Sequence, residues 1–468
     1  MALPVAPPRY VLGIDLGTTS VKAVLLESGS RTVAGSSAAP TGAAGSAAAD
    51  PRFKEQDPVR ILHTLNQCMS SLPREKLRNV VCVGVSGQMH GIMLWRAMAG
   101  CEWYGADAGR MFRPKDVSQL ITWQDGRCSD DFLSALPQPD SHISLATGFG
   151  CTTIFWLLRH QPAYLQQFGV AGTIHDYVVS MLCGLENCVM SVQNAAGWGY
   201  FNTVTGRWNL DILRPAAFPL HLLPEPVDAG ALAGRTFSVW HGIPAGTPVG
   251  AALGDFQCSV YSCMSSRDDA VLNVSTSAQL TFAMPPDFTP GSVPDARSAV
   301  SYFPYFDGSY LAVAAALNGG NAVAAFVGML NEWMKEFGLE LSESSIYSRL
   351  IQSALQQSST DLRVTPTILG ERHDSARLGL VCNISPANLS LGHVTRALCR
   401  GILDNVAAMM PAHMLQEVGV KRIVGSGSAL SRNEVLRQEV ERAFPLPVVY
   451  GRDVDSAVGV AMVFNDRI

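Results

Sequence analysis

Two stretches of the chain share one hydrophobic pattern, in which two apolar runs flank a short turn rich in hydroxyl residues. The first stretch is VLGIDLGTTSVKAVL at residues 11–25, and the second is DDAVLNVSTSAQLTFAM at residues 268–284. Short apolar runs bounded by turn residues predict strands, and the polar turn between them predicts a hairpin. Because the two hairpins lie about half the chain apart, they predict two similar α/β domains, each opened by one hairpin.

Further apolar runs alternate with amphipathic segments in the first half of the chain. Residues 79–87, NVVCVGVSG, predict a buried strand. Asp57 ahead of Pro58 predicts the start of a helix, because aspartate caps helices and proline suits their first turn. Residues 34–50 are small and low in complexity, which predicts an exposed loop or a mobile connection. Residues 101–118 are polar and rich in turn formers, which predicts a surface excursion.

The second half adds segments with small residues at their turns. An apolar strand ends at Gly254 and is followed at once by Asp255. Residues 310–330 have the length of a membrane span, but an Asn-Gly-Gly-Asn turn divides them, which favours a strand, a turn and a buried helix. Residues 424–440, VGSGSALSRNEVLRQEV, predict a strand, a Gly/Ser turn and a helix. Small residues at such a turn let a flat ligand lie against the backbone.

Composition narrows the class of protein. A chain of 468 residues predicts two or three domains, and 47% hydrophobic residues provide each with a core. Charged residues make up 16% and the net charge is −5, without a basic segment that could follow a phosphate backbone, so nucleic acid is not an expected partner. The 11 cysteines include no C-x-x-C pair, and the first ten residues lack a basic signal segment. These features predict a cytoplasmic protein with reduced thiols and no membrane span.

Asp15 is the first candidate for chemistry, because it lies in the middle of an apolar strand. A buried carboxylate costs several kcal/mol unless it is paired or holds a metal. The GTTS turn at residues 17–20 offers backbone donors and hydroxyls that suit a bound anion. The stretch has neither the G-x-x-x-x-G-K-[ST] of a P-loop nor the G-x-G-x-x-G of a dinucleotide fold. An ordinary hairpin with a polar turn is the alternative interpretation.

Six motifs together resemble the FGGY carbohydrate kinases, which belong to the superfamily of sugar kinases, actin and Hsp70-type ATPases. The motifs stand in the family's order and span about residues 10–465: IDLGTTSVKA, SGQMHG, WQDGR, GDFQ, NVSTSAQ and GSGSALSRN. The resemblance implies an α/β fold of two RNase H-like domains, of the actin, hexokinase and Hsp70 type, with an active-site cleft between them. It also implies a sugar-binding domain at residues 1–258 and an ATP-binding domain at residues 259–468.

The resemblance implies that ATP and Mg²⁺ bind at the hydroxyl turns. Asp15 resembles the family's carboxylate near Mg²⁺, held directly or through water, as hard oxygen ligands suit that ion. Lys22 adds positive charge there or faces solvent, and the sequence leaves both interpretations open. The remaining nucleotide contacts that the resemblance implies come from both phosphate turns and the adenosine turn: Gly17, Thr18, Thr19, Thr276, Ser277, Gly320, Gly427, Ser428 and Ser431.

The resemblance also implies the acceptor side of the reaction. Asp255 resembles the family's catalytic base, and a helix N-cap is its alternative role. Arg127 contacts the sugar or braces a neighbouring acid. The S-G-Q-M-H-G motif is similar to that of the ketose kinases, and the expected sugar contacts are Gln88, Met89, His90 and Asp125.

The acceptor itself is open at the level of the sequence. The resemblance over the whole chain implies a free ketose, with sedoheptulose first and xylulose or another polyol as the alternative. The long 101–118 segment weakens the xylulose assignment and is compatible with a larger ketose. An ATP-gated protein without kinase activity is a third interpretation, which the G-D-F-Q and Q-M-H residues argue against. The oligomeric state, monomer or homodimer, is left open.

Overall fold

The computed structural model describes residues 7–45, 50–106, 109–451 and 453–468. The strands in this part of the chain, in order, are β1 (Tyr10–Leu16), β2 (Ser20–Glu27), β3 (Val33–Pro40), β4 (Glu55–Gln56), β5 (Val80–Gly87), β6 (Met93–Trp95), β7 (Cys101–Tyr104), β8 (Met111–Pro114), β9 (Leu120–Ile121), β10 (Val170–Gly172), β11 (Val189–Ser191), β12 (Phe201–Asn202), β13 (Arg207–Trp208), β14 (Glu225–Val227), β15 (Leu232–Arg235), β16 (Pro248–Gly250), β17 (Leu253–Gly254), β18 (Asp269–Val274), β19 (Ala278–Ala283), β20 (Val300–Pro304), β21 (Tyr310–Ala316), β22 (Arg363–Thr365), β23 (Leu380–Cys382), β24 (Arg422–Ser426) and β25 (Val448–Val449).

The helices of the described residues lie between these strands and after the last of them. They are α1 (Pro58–Ser70), α2 (Arg74–Leu77), α3 (Asp130–Ser134), α4 (Gly150–His160), α5 (Pro162–Leu165), α6 (Ile174–Cys183), α7 (Val192–Ala196), α8 (Leu210–Leu213), α9 (Asp255–Cys263), α10 (Gly320–Glu336), α11 (Glu343–Leu355), α12 (Leu391–Met409), α13 (Ala412–Glu417), α14 (Ser428–Arg432), α15 (Glu434–Ala443) and α16 (Ser456–Asn465), with a short 3-10 helix at Leu220–Leu222. No helix in the described ranges is both long and apolar enough to cross a membrane.

Two mixed sheets confirm the α/β fold class. The first has the strand order β15-β16-β5-β1-β2-β3, with β17 also paired to β5. The second has the order β20-β21-β19-β18-β24-β25. Each sheet contains one of the two predicted hairpins, β1–β2 and β18–β19, and each hairpin is joined by a parallel strand, β5 or β24. The hairpin pattern that is repeated in the two halves of the sequence therefore occurs once in each of the two sheets.

Strand β1 is buried on both faces, and its two faces meet different helices. Leu12 and Ile14 belong to one hydrophobic cluster together with residues of α1 and α6. Val11 belongs to another cluster, which includes residues of α9 and α16. Because side chains alternate along a strand, Gly13 and Asp15 share the α16 face with Val11. The C-terminal helix therefore lies over the strand that carries Asp15.

Glycines allow α16 to lie close to the first sheet. A Cβ atom at Gly13 would lie 2.0 Å from the carbonyl oxygen of Ala457, and one at Gly84 would lie 2.6 Å from the Phe464 ring. Gly13 and Gly84 are paired in register across β1 and β5. The contact with Ala457 is to backbone, so only a shift of the helix or the strand would relieve it.

Gly13→Ala is expected to destabilise the fold by about 1–3 kcal/mol, the usual cost of overpacking a core. Gly35→Ala is the matched control, because Gly35 lies in β3 of the same sheet and its added Cβ atom would meet Pro73 at an ordinary 3.4 Å. Urea unfolding of both variants measures the difference in free energy. Equal stability of the two variants would contradict the close packing of α16.

Three local predictions can be compared with the structure. The helix start at Asp57 is confirmed, since the Asp57 side chain accepts a hydrogen bond from the backbone N–H of Val59. The prediction of a loop at residues 34–50 is wrong for β3, because Val33–Pro40 pairs with β2 along the edge of the sheet. Residues 46–49 of that segment lie outside the described residues. The excursion at 101–118 contains the hairpin β7–β8, and its residues 107–108 also lie outside them.

The C-terminal helix complicates a simple division of the chain. Although α16 ends the second half of the sequence, it packs against β1, β2 and β5 of the first sheet and against α9. The division into residues 1–258 and 259–468 stays a prediction.

Candidate active site

Three polar side chains form a row across the ends of neighbouring strands in the first sheet. Asp15 of β1 pairs in register with Lys22 of β2 on one side and with Ser86 of β5 on the other. Residues directly opposite each other on neighbouring strands point to the same face of the sheet. The Ser86 hydroxyl donates a hydrogen bond to Oδ1 of Asp15 over 3.0 Å. Asp15, Lys22 and Ser86 therefore form one part of a charged site that lies under the start of α16.

Asp255 joins this row from the other side of β5. Strand β17 pairs in parallel with β5, placing Gly254 opposite Gly87, and α9 begins with Asp255. The backbone N–H of Phe256 donates a hydrogen bond to the Asp255 carboxylate over 2.7 Å. The alternative role as an N-cap is not observed, because Gly254 occupies the N-cap position and Asp255 is the first helical residue.

The two carboxylates influence each other. Burial raises the pKa of Asp255 to about 7, and the nearby negative charge of Asp15 contributes to the increase. Burial also raises the pKa of Asp15 to about 6, where the Ser86 hydrogen bond opposes the increase, the charge of Asp455 adds to it, and Lys22 opposes it. A general base works best when its pKa lies near the operating pH, so Asp255 suits proton abstraction at neutral pH.

The carboxylate at Asp15 fits the Mg²⁺ ion that accompanies a nucleotide. Mg²⁺ is usually bound through one or two carboxylates plus substrate phosphates, and it keeps several waters. Among the described residues, no group of three His, Cys, Asp or Glu side chains forms a metal cage. Asp15 instead offers a single partly buried carboxylate with like charges nearby, which a cation would neutralise. A single carboxylate suits a metal ion that arrives with the phosphates better than a metal ion that the protein holds permanently.

The start of α16 connects the row to Asp255, and sequence reasoning missed it. The Ser456 hydroxyl donates a hydrogen bond to the carbonyl oxygen of Asp255 over 2.9 Å. The Ser86 hydroxyl also lies 3.4 Å from the Ser456 carbonyl oxygen. The Lys22 ammonium forms an ion pair with Asp455, the N-cap residue of α16. An aspartate ahead of an apolar helical segment is a cap signal, so Asp455 was recognisable in the sequence as a helix start.

The predicted nucleotide residues of the second half gather around a cavity of about 600 Å³. The β18–β19 turn is bonded to the start of α10: the backbone N–H of Gly320 donates to the Ser275 carbonyl over 2.8 Å, and that of Asn321 donates to the Thr276 carbonyl over 3.0 Å. The backbone N–H of Ser428 donates to the Ser275 hydroxyl over 3.2 Å. Thr276, Gly320 and Ser428 line this cavity, and their contacts with a nucleotide stay predictions.

The same cavity includes residues that the motifs did not indicate. Tyr347 of α11 lines it together with Arg432 at the end of α14. An aromatic ring and a guanidinium group are suited to the flat face and the negative charge of a nucleotide. Arg432 lies within the GSGSALSRN motif but was not predicted as a site residue. Tyr347 lies outside the family motifs, and in the sequence it reads only as one apolar position of an amphipathic helix.

Gly427 and Ser431 support this cavity without lining it. Gly427 has a φ of +104°, and a Cβ atom there would lie 2.3 Å from the Val274 carbonyl oxygen, so only glycine fits between β18 and α14. The Ser431 hydroxyl donates to the Ser428 carbonyl over 3.1 Å within α14. Ser277 closes the β18–β19 turn, with its carbonyl accepting from the backbone N–H of Ser275. Direct nucleotide contacts of Gly427, Ser277 and Ser431 stay predictions.

The first hydroxyl turn is held by residues of the acceptor side. The backbone N–H of Gly17 donates to the Ser20 carbonyl, and the Thr19 carbonyl accepts from the backbone N–H of Thr41. The indole N–H of Trp123, in the W-Q-D-G-R segment, donates to the Thr18 hydroxyl over 3.0 Å. This turn therefore lies beside the segment that also carries Asp125.

Met89 lies beside the residue that precedes Asp255, and Gln88 stands immediately before Met89 in the chain. A Cβ atom at Gly254 would lie 2.6 Å from the Met89 sulfur, so Met89 packs directly against the residue preceding Asp255. The Gln88 amide nitrogen donates to Gln56 over 3.0 Å. The Gln88 side-chain oxygen is buried and has no hydrogen-bond partner among the described residues. A buried acceptor without a partner is costly, and a sugar hydroxyl would satisfy it.

His90 is held rigidly at the edge of this group. It adopts a φ of +75°, its ring stacks on Phe149 with centroids 4.8 Å apart, and its Nδ1 lies 2.8 Å from the Gly197 carbonyl oxygen. Burial lowers the pKa of His90, and the positive charge of Arg372 contributes to the decrease. Arg372 comes from the second half of the chain and was not predicted. A neutral imidazole suits hydrogen bonding to a sugar.

Arg372 stands on a well-anchored turn. The buried Glu371 carboxylate accepts hydrogen bonds from the backbone N–H of Leu317 and from the side chains of Asn318 and Asn405, at 2.8–2.9 Å. Glu371 and Asp374 are bridged through their backbones, which leaves Arg372 and His373 between them. The exposed Arg372 therefore follows an anchored residue in the chain, and its positive charge acts on His90.

Asp125 and Arg127 bind to each other. Arg127 donates to both Asp125 oxygens, over 2.7 and 3.0 Å, and Asp125 is fully buried. The backbone N–H of Lys54 donates to Asp125 as well, over 2.8 Å, and Arg127 also pairs with Glu55. This geometry matches the bracing role considered for Arg127. A direct contact of Asp125 with sugar stays a prediction.

The sequence profile described as "FGGY family of carbohydrate kinases, N-terminal domain" matches residues 10–262. The chain belongs to the FGGY family of carbohydrate kinases.

Individual relatives agree with this assignment. The chain is 58% identical to sedoheptulokinase from Homo sapiens over 464 residues and to sedoheptulokinase from Mus musculus over 462 residues, covering 97% of each protein in both cases. The crystal structure of xylulose kinase from Rhodospirillum rubrum has a TM-score of 0.77 and 20% identity, covering 97% of this chain and 89% of that one. The structural similarity shows the shared two-domain fold.

Proposed function

We propose that this chain transfers the γ-phosphoryl group of ATP to a free ketose, with sedoheptulose as the acceptor and sedoheptulose 7-phosphate as the product. The observation that carries the choice of sugar is the 58% identity to two sedoheptulokinases over nearly the whole chain. The geometry agrees with the class of reaction, because Asp255 has a pKa near 7 and directly follows a strand residue, Gly254, that pairs with Gly87 of β5. Gln88 directly follows Gly87, and its buried side-chain oxygen has no hydrogen-bond partner among the described residues.

In the proposed reaction, Asp255 accepts the proton of the sugar hydroxyl that is phosphorylated. The acceptor hydroxyl gives its proton to the Asp255 carboxylate while its oxygen forms a bond to the γ-phosphorus. The bond from that phosphorus to the β–γ bridging oxygen breaks, and ADP leaves. Phosphoryl transfer depends mainly on positioning and on stabilising charge. Backbone N–H groups and hydroxyls of the two turns, at Gly17–Ser20 and Ser275–Ser277, provide that positioning from opposite sheets.

Asp15 would hold Mg²⁺, and a bound Mg²⁺ ion would neutralise negative charge on the phosphates. Gly320, Ser428, Tyr347 and Arg432 would receive the nucleoside, since they line the cavity beside the second turn. Gln88, Met89 and His90 would contact the sugar. A cytoplasmic location is part of the proposal, and the cysteines without a C-x-x-C pair support it.

The proposal predicts a ranking of acceptors. With saturating ATP and Mg²⁺, kcat/KM is expected to be higher for sedoheptulose than for fructose, xylulose or glycerol. A coupled assay of ADP formation measures all four, and the same mixture without sugar gives the background hydrolysis. A larger kcat/KM for xylulose would move the assignment to xylulokinase activity on the same site. Nucleotide turnover that does not depend on any sugar would contradict a kinase.

A further inference from the structure

The ion pair between Lys22 and Asp455 is a feature that the family motifs do not explain. Lys22 lies directly opposite Asp15 in the β1–β2 pairing, yet its ammonium forms an ion pair with Asp455 rather than with Asp15. The pair joins two segments that are 433 residues apart in the sequence. Both side chains are partly buried, with 36% of Lys22 and 21% of Asp455 exposed.

Asp455 is fixed by the structure, whereas Lys22 has a flexible stem. Oδ1 of Asp455 accepts a hydrogen bond from the backbone N–H of Val458 over 3.0 Å and caps α16. The backbone N–H of Asp455 donates to the Ser262 hydroxyl of α9, also over 3.0 Å. A lysine side chain loses considerable rotamer freedom when it is held in one place. An anchored carboxylate therefore determines where the Lys22 ammonium lies.

The position of the ammonium matters because of its neighbours. Lys22 follows the first hydroxyl turn by two residues and stands beside the carboxylate of Asp15. An ammonium group has three donors, of which Asp455 takes one, so donors remain for an anion at the turn. If Asp455 were neutral, the nearest available carboxylate would be Asp15. A Lys22–Asp15 pair would withdraw both groups from the phosphate and the metal.

We propose that Asp455 is a positioning residue for phosphoryl transfer, which holds the Lys22 ammonium beside the first phosphate turn and away from Asp15. The inference rests on the proposed kinase function and adds to it a residue from the C-terminal helix. Asp455 acts through Lys22, and it need not touch either substrate.

A double-mutant cycle tests the proposal. Asp455→Asn keeps the size of the side chain and its ability to cap α16 but removes the charge. We expect kcat to fall between about tenfold and a hundredfold, the scale of a misplaced catalytic group, while the KM for sugar and the melting temperature stay unchanged. Lys22→Met is expected to lower kcat at least as much. In the Lys22→Met background, Asp455→Asn is expected to have no further effect, because its partner is already gone.

Controls separate this inference from the function on which it rests. Asp268→Asn removes the carboxylate of another Lys–Asp pair, with Lys421, on the exposed surface, and is expected to leave kcat unchanged. Calorimetric titration of ATP into each variant shows whether nucleotide still binds. An inactive wild-type chain would count against the proposed function. An active wild type would overturn the inference if Asp455→Asn or Lys22→Met leaves kcat intact, if the two effects multiply, or if Asp455→Asn lowers the melting temperature instead.

Discussion

Replacing Asp255 with asparagine is expected to lower kcat by a factor of about 10²–10⁴, the usual contribution of general-base catalysis. The amide has nearly the same size as the carboxylate, but it cannot accept the proton of the attacking hydroxyl. The affinity for ATP is expected to change little, because the cavity proposed for the nucleotide is lined by residues of the β18–β19 turn, α10, α11 and α14. Steady-state kinetics at saturating sugar and Mg²⁺, with calorimetry for ATP, measure both quantities.

The same variant should not destabilise the fold. Burial in the folded chain raises the pKa of Asp255 to about 7, from an ordinary value of 3.8, so the fold disfavours the ionised form. Between these two values the unfolded chain releases this proton first, and the contribution of Asp255 to stability falls as the pH rises toward 7. Asparagine stays neutral, so the Asp255→Asn variant does not lose this contribution to stability as the pH rises. A variant that keeps more than about a tenth of wild-type kcat would show that Asp255 is not the base.

Replacing Asp15 with asparagine is expected to raise the Mg²⁺ concentration for half-maximal rate by about 10- to 100-fold, as for the loss of a residue that holds or orients a metal's surroundings. The hydrogen bond from Ser86 survives on the amide oxygen, so the row of side chains stays in place. The rate at very high Mg²⁺ is expected to recover in part. Titration of Mg²⁺ at fixed ATP measures the shift.

Asp404→Asn is the matched control for this titration. Asp404 is an exposed carboxylate on α12 that pairs with Arg442 and belongs to neither hydroxyl turn. Its removal changes the net charge by the same amount as Asp15→Asn, and it is expected to leave the Mg²⁺ dependence unchanged. An Asp15 variant that behaves like the Asp404 variant would remove Asp15 from the metal site.

The sequence allowed the two hairpins and their chemistry to be predicted because they are local. Apolar runs around the turns at residues 17–20 and 275–277 require only a strand period and turn residues, and both hairpins are present. The family could be predicted as well, because each of its motifs is a short local stretch and the motifs stand in the family's order. Asp255 could be found because it directly follows a strand and a glycine.

The contacts that complete the site are non-local, and the sequence did not reveal them. Asp455 and Ser456 meet Lys22 and Asp255 only because glycines such as Gly13 let α16 lie on the first sheet. Arg372 approaches His90 through an anchored turn far along the chain. The loop prediction at residues 34–50 failed because small residues read as flexible, although strand β2 offers β3 a hydrogen-bonding edge.

The most direct test of the proposed activity is the identity of the product formed from ATP and sedoheptulose. Phosphorus and carbon NMR of the reaction mixture, with the wild-type chain and Mg²⁺, identifies the esterified carbon and the amount of ADP. The account predicts a phosphomonoester at C7, with one ADP formed for each ester. No ester, an ester at another carbon, or ADP formed without ester would contradict it.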